Sequence, residues 1–219
     1  MSQDTHYPGY DVLNKRNSPS WDDATRVVID ARLKASTEPL FFSSQEWPAV
    51  LALCDCIMPR AARHPVVPLA GMLDEKLAHG PGDGYRDARM PPRDEAWHRG
   101  LAALDAESTE HGGAPFARLP VSTQHDMVER MARGDLVTRA WNGMPSDLFF
   151  SKRVVHDITS CYYAHPRSWS EMGFGGPANP RGYVRLIESR RDPWEPTEST
   201  EGDDADRRAR VTKENQRVR

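Results

Sequence analysis

The sequence predicts an all-α fold: one helical domain of about five or six helices, with an irregular Gly/Pro-rich loop and a disordered C-terminal tail. Three observations carry that reading. Apolar residues recur at three- and four-residue steps in one segment after another. Those segments are bounded by residues that start and stop helices. Alternating β-branched runs between turn signals, the mark of strands, are missing from the 219 residues.

The first 38 residues read as an extended, polar arm with one short helix, Asp22 to Lys34, for which Ser20 is the candidate cap. The helical domain then runs from 39 to 194. Ser43 and Glu46 form a capping-box pattern ahead of Trp47, Val50, Leu51, Cys54, Ile57 and Met58, and Pro59 ends that helix. A second helix runs from Pro68 to His79, with Leu69, Met72, Leu73 and Leu77 on one face and Gly80 as its stop. After the turn-rich segment from Gly80 to Tyr85 comes a longer helix, Arg93 to His111, carrying Trp97, Leu101, Ala103 and Leu104 and closed by Gly112-Gly113. Phe116 and Leu119 form a packing link, and Ser122 opens a helix that closes at Gly134. The last helix starts after Pro145 with Ser146 as its cap. It carries Leu148, Val154, Val155, Ile158, Cys161 and Tyr162, and Pro166 stops it.

Beyond Trp194 there is almost nothing apolar. An acidic stretch, Glu195 to Asp206, gives way to a mostly basic one, Arg207 to Arg219. Burial there cannot offset the entropy of ordering, so disorder is expected after about Pro196.

Composition narrows function. A net charge of −3 gives no broad field for nucleic acid or an anionic membrane. With a mean hydropathy of −0.71, the chain also has no run approaching the roughly 20 apolar residues of a membrane span. Cys54, Cys56 and Cys161 make no disulfide framework. On a helix, Cys54 and Cys56 point about 200° apart and cannot share a metal. His156 and His165 lie two and a half turns apart, on opposite faces. No site residues for catalysis, metal or cofactor emerge from this pattern. A rival reading has His156, Asp157, His165 and Glu171 moving protons in a pocket; against it, His165 before Pro166 reads as a structural hydrogen bond at a helix end.

The stretch from Tyr162 to Tyr183 is the conspicuous feature. Its Gly173-Phe174-Gly175-Gly176 lacks the strand before and the helix after that a phosphate loop needs. Glycine permits close backbone approach, and exposed aromatics with arginine anchor interfaces. Trp169, Phe174, Gly175, Gly176, Arg181 and Tyr183 are therefore the candidate partner-binding residues, with closure over the chain's own helix ends as the alternative.

Phe41-Phe42-Ser43 with Glu46-Trp47, the helix from Pro68 to Leu77, the segment from Arg93 to Asp105, and above all His165-Pro166, Trp169, Gly173 to Pro177 and Pro180 to Tyr183 resemble the small (gamma) subunit of membrane-associated gluconate 2-dehydrogenase, the subunit 3 family. The resemblance covers about Tyr7 to Trp194. It implies a partner, a large FAD-dependent dehydrogenase of the glucose-methanol-choline type that oxidises sugars or sugar acids, often with a cytochrome c subunit. It implies no cofactor in this chain, FAD being held by the large subunit, and a role in folding, stability, maturation or export of that subunit. Many relatives begin with a twin-arginine export signal. The N-terminus here shows neither a twin arginine nor an apolar core, so a cytoplasmic complex is expected in preference to a periplasmic one. A stand-alone protein-binding module is the other non-enzymatic alternative.

Overall fold

The structure is a computed structural model that describes residues 6–34, 38–59, 67–82, 84–179, 182, 192 and 194–217. Among these residues it is all-α, with nine α-helices and no strand. The chain divides into two compact units, 35–63 with 68–162, and 1–34 with 64–67 and 163–219.

The first of these units holds α2 (Trp47–Ile57), α3 (Leu69–His79), α4 (Arg93–Gly112) and α5 (Val121–Arg133). They are followed by a continuous helical run of α6 (Ser146–Phe149), a π-helical segment (Phe150–Val155) and α7 (His156–Ala164), whose last two residues belong to the other unit. The capping box forms as the sequence predicts. The Glu46 carboxylate accepts from the Ser43 N–H at 2.9 Å, and the Ser43 hydroxyl accepts from the Glu46 N–H at 3.2 Å. Gly113 and Gly134 close α4 and α5 in the left-handed conformation. Arg93, at the start of α4, turns its guanidinium onto the carbonyls of Leu77 and Pro81 and so caps α3.

Ser146 does not cap the last helix. Pro145 occupies that position, and the Ser146 side chain is buried. The buried stripe is also shifted, with Phe149 inside where Leu148 is expected. The π segment explains this. Its wider turn lets Phe149 and Val154, five residues apart, share one face.

The core of this unit is an aromatic chain. Phe42 meets Trp97 edge-on at 5.7 Å, Trp97 meets Phe149 at 5.6 Å, and Phe149 meets Trp141 at 5.9 Å. Three buried carboxylates tie elements to it. Asp74 accepts the N–H groups of Leu40, Phe41 and Phe42, and Glu107 accepts from the Thr138 N–H and the Trp141 indole. Asp157 accepts from Lys76 and from the Trp97 indole.

The other unit holds a 3₁₀ helix (Val12–Asn17), α1 (Asp23–Leu33), α8 (Pro166–Met172) and α9 (Ala205–Asn215). Asp22, not Ser20, caps α1, accepting the Thr25 N–H at 2.8 Å. Two corrections matter more. The Tyr162–Tyr183 stretch is not wholly loop, because α8 occupies its middle. The tail, expected to be disordered, forms α9 over residues 205–215. Asp204 caps α9, and Val211 and Asn215 are buried. The Asn215 amide donates to the carbonyls of Pro8 and Thr197 and accepts the Thr197 N–H, while the Ser199 N–H donates to the His6 carbonyl. Hydrogen bonds from the Asn215 side chain to Pro8 and from the Ser199 N–H to His6 tie this segment to the N-terminal arm and order it, which apolar content alone would not. A small core of Tyr10, Val12, Trp21, Ile29, Trp169 and Trp194 lies in the same unit. Among the described residues, no helix is long and apolar enough to cross a membrane.

Candidate functional site

The glycine-rich loop starts where α8 ends. His165 begins that helix as its cap: the residue before Pro166 is extended, and its Nδ1 accepts the Arg167 N–H at 3.2 Å. Burial, then Arg167 and Arg32, push the His165 pKa down to about 4. The sign follows. A base whose pKa falls from 6.5 to about 4 on folding contributes stability that is fully present above pH 6.5 and is lost as pH falls towards 4. The loss reaches about 3 kcal/mol at one pKa unit per 1.4 kcal/mol. Urea unfolding at pH 7 and pH 4.5 measures it, and His165→Asn, which keeps a capping acceptor without the titration, is expected to flatten the difference.

Trp169 is buried, 3% exposed, and its indole donates to the Tyr163 carbonyl at 2.6 Å. Gly173 and Gly176 both hold φ of +67°. A Cβ on Gly173 would lie 2.3 Å from the Tyr7 ring, and one on Gly176 would lie 3.0 Å from the Trp169 ring. The chain can pass these rings only as glycine. Beyond them, the Trp21 indole donates to the Pro177 carbonyl at 2.8 Å, and Asn179 pairs in parallel with Trp21. The loop is thus sewn to the N-terminal arm of its own unit.

Of the candidate contact residues, Trp169, Gly175 and Gly176 are buried in that packing, and Phe174 stands out, 43% exposed and edge-on to Trp169 at 5.6 Å. Arg181 and Tyr183 lie outside the described residues. The packing of Trp169 against Tyr163 and Gly176 could not be read from composition, because an aromatic in a Gly/Pro-rich stretch serves an interface or a core equally well.

The residues of the rival enzymatic reading are placed as follows. His156 is exposed and approaches the Asp157 carboxylate through Nδ1 at 3.2 Å. Burial raises the Asp157 pKa, but the Lys76 and Trp97 hydrogen bonds outweigh it and hold the carboxyl below its ordinary value. That carboxylate is thus occupied by Lys76 at 2.8 Å and the Trp97 indole at 3.0 Å. His165 is buried as a helix cap, and Glu171 lies on α8. Cys54 and Cys161 are buried, and burial pushes the Cys161 thiol up to about 11. Among the described residues, no three His, Cys, Asp or Glu side chains come together in a metal-binding arrangement.

The family model for gluconate 2-dehydrogenase subunit 3 matches residues 44–176. The chain belongs to the gluconate 2-dehydrogenase subunit 3 family. No curated protein and no solved structure matches it. The subunit 3 match begins at the capping box and ends at Gly176, so it takes in the helices around the aromatic core, the His165 cap and the glycine-rich turn. Members of the subunit 3 family are accessory subunits of a multi-subunit gluconate dehydrogenase complex.

Proposed function

We propose that this chain is the non-catalytic small subunit of a flavin-dependent sugar or gluconate dehydrogenase, and that it assists folding, stability or maturation of a large catalytic subunit of the glucose-methanol-choline type. The subunit 3 match over residues 44–176 carries this reading. The large subunit holds the FAD and passes electrons onward, in some complexes to a cytochrome c subunit. The chemistry of this chain supports a structural role, since the Asp157 carboxylate that a proton-transfer site would need is engaged by Lys76 and Trp97.

The contact we assign centres on Phe174. The loop around it is fixed by Gly173, Gly176 and the Trp21 hydrogen bond, so its ring is presented with little left to order on binding. Phe174→Ala is expected to weaken association with the large subunit by about 1–3 kcal/mol, the range of an aromatic hot spot. Affinity measured on the purified pair, together with the stability of the variant alone, tests the assignment. Unchanged affinity with a destabilised variant would make Phe174 a plug for its own unit.

A further inference from the structure

Helix α1 is apolar on two opposite faces, and its own unit uses one of them. Ile29 is fully buried, and Leu33 packs against the small core around Trp21 and Trp169. On the other side Ala24, Val27, Val28 and Ala31 recur at three- and four-residue steps. All four are exposed, Val27 to 68% and Val28 to 49%. A surface helix ordinarily turns charged and polar side chains outward. The outward centre of α1 is instead two valines, bracketed by two alanines.

Charge lies at the two ends of this stripe. Asp23 opens the helix and Lys34 closes it, both exposed and both on the same rim. Asp23 contacts Arg26, yet its side chain stays 99% exposed, so the carboxylate can take a second cation. Asp30, on that rim between them, is held by both terminal nitrogens of the Arg16 guanidinium.

The stripe is symmetric about the midpoint between Val27 and Val28, with Ala24 and Ala31 equally far from it. A second copy laid antiparallel across that midpoint sets Val27 against Val28 of the other chain and Ala24 against its Ala31. The same alignment brings Asp23 of each copy towards Lys34 of the other and keeps like charges at opposite ends. A parallel alignment would set Asp23 against Asp23 and Lys34 against Lys34, which costs energy. The charges therefore select the antiparallel pair.

We propose that this face of α1 binds a second copy of the chain as a twofold-symmetric, antiparallel helix pair. The small side chains let the two axes approach to about 8 Å. One helix of 11 residues from each copy buries well under the roughly 1,200 Å² of a standard interface, so the pairing is weak and concentration-dependent. This inference concerns the chain alone and does not rest on the proposed complex.

Sedimentation velocity of the full-length chain at concentrations up to about 1 mM tests it, a range that populates weak specific pairs. A reversible monomer–dimer equilibrium is expected. Val27→Glu and Val28→Lys, each alone, are expected to weaken it by about tenfold or more, since each buries a charge against a valine. Both positions are exposed in the single chain, so the thermal midpoint should not fall. Mixing the two variants should restore a dimer containing one of each, because the introduced carboxylate then meets the introduced ammonium. A wild-type chain that stays monomeric throughout, a dimer untouched by either single change, or a mixture that stays monomeric would overturn the proposal. Weakened binding of the large subunit by Val27→Glu, with no wild-type dimer, would overturn it too and give the face to that subunit.

Discussion

Asp157→Ala is expected to destabilise the protein by about 3 kcal/mol, the low end of the cost of breaking a buried ion pair. The carboxylate is almost wholly buried, with its side chain 3% exposed, and serves three donors: the Lys76 ammonium, the Trp97 indole and the His156 ring. Removing it strands the indole in the core, which alone costs about 1–3 kcal/mol. Lys76 is one-third exposed and recovers part of its hydration, which keeps the total from being larger. Asp157→Asn keeps an acceptor for Trp97 while losing the charge, so it should fall between alanine and wild type. Urea denaturation of the three proteins reads the order directly. If Asp157→Ala were as stable as wild type, with a changed activity of the assembled dehydrogenase, the residue would belong to chemistry and the structural assignment would fail.

Gly100→Ala is expected to destabilise by about 2 kcal/mol, within the range for overpacked cores. In an exposed helix the same change would stabilise by about 1 kcal/mol, because alanine is the better helix former. The sign therefore depends on the space. A Cβ at position 100 would lie 2.2 Å from Phe149 Cζ and 2.4 and 2.5 Å from its Cε atoms, inside the ring's own volume. The ring cannot swing away, since it is fully buried and held edge-on between Trp97 and Trp141. Phe149→Leu should relieve the clash, so the double variant should lose less than the sum of the two single changes. Thermal unfolding of the four proteins measures the coupling. Additive losses would mean that the ring does move.

The helices around this core were legible in the sequence for a plain reason: their apolar periods are regular and their ends carry chemistry that acts locally. The Ser43–Glu46 box and the Gly134 stop each act within one turn. The π segment was not legible, since Phe149 and Val154 share a face only after the helix has widened, and a 3.6-residue period assigns Leu148 instead. Nor was the order of the tail. Val211 is a single buried apolar residue, and what fixes α9 is the Asn215 amide bonding to the nearby Thr197 carbonyl and, across almost the whole chain, to that of Pro8. The glycine-rich stretch was partly legible. Its special backbone residues marked a constrained turn, but composition could not say that Gly173 yields to Tyr7 and Gly176 to Trp169, leaving Phe174 exposed.

The proposed function makes one demand that outweighs the others: the chain must bind a flavoprotein and matter to it. Co-expression with a large FAD-dependent dehydrogenase subunit, followed by purification on a tag carried by this chain, measures that directly. The account predicts that both chains elute as one complex carrying flavin, and that the large subunit made without this chain is recovered in lower yield or with less flavin bound. Separate elution of the two chains, with the large subunit fully loaded in the absence of this one, would contradict it.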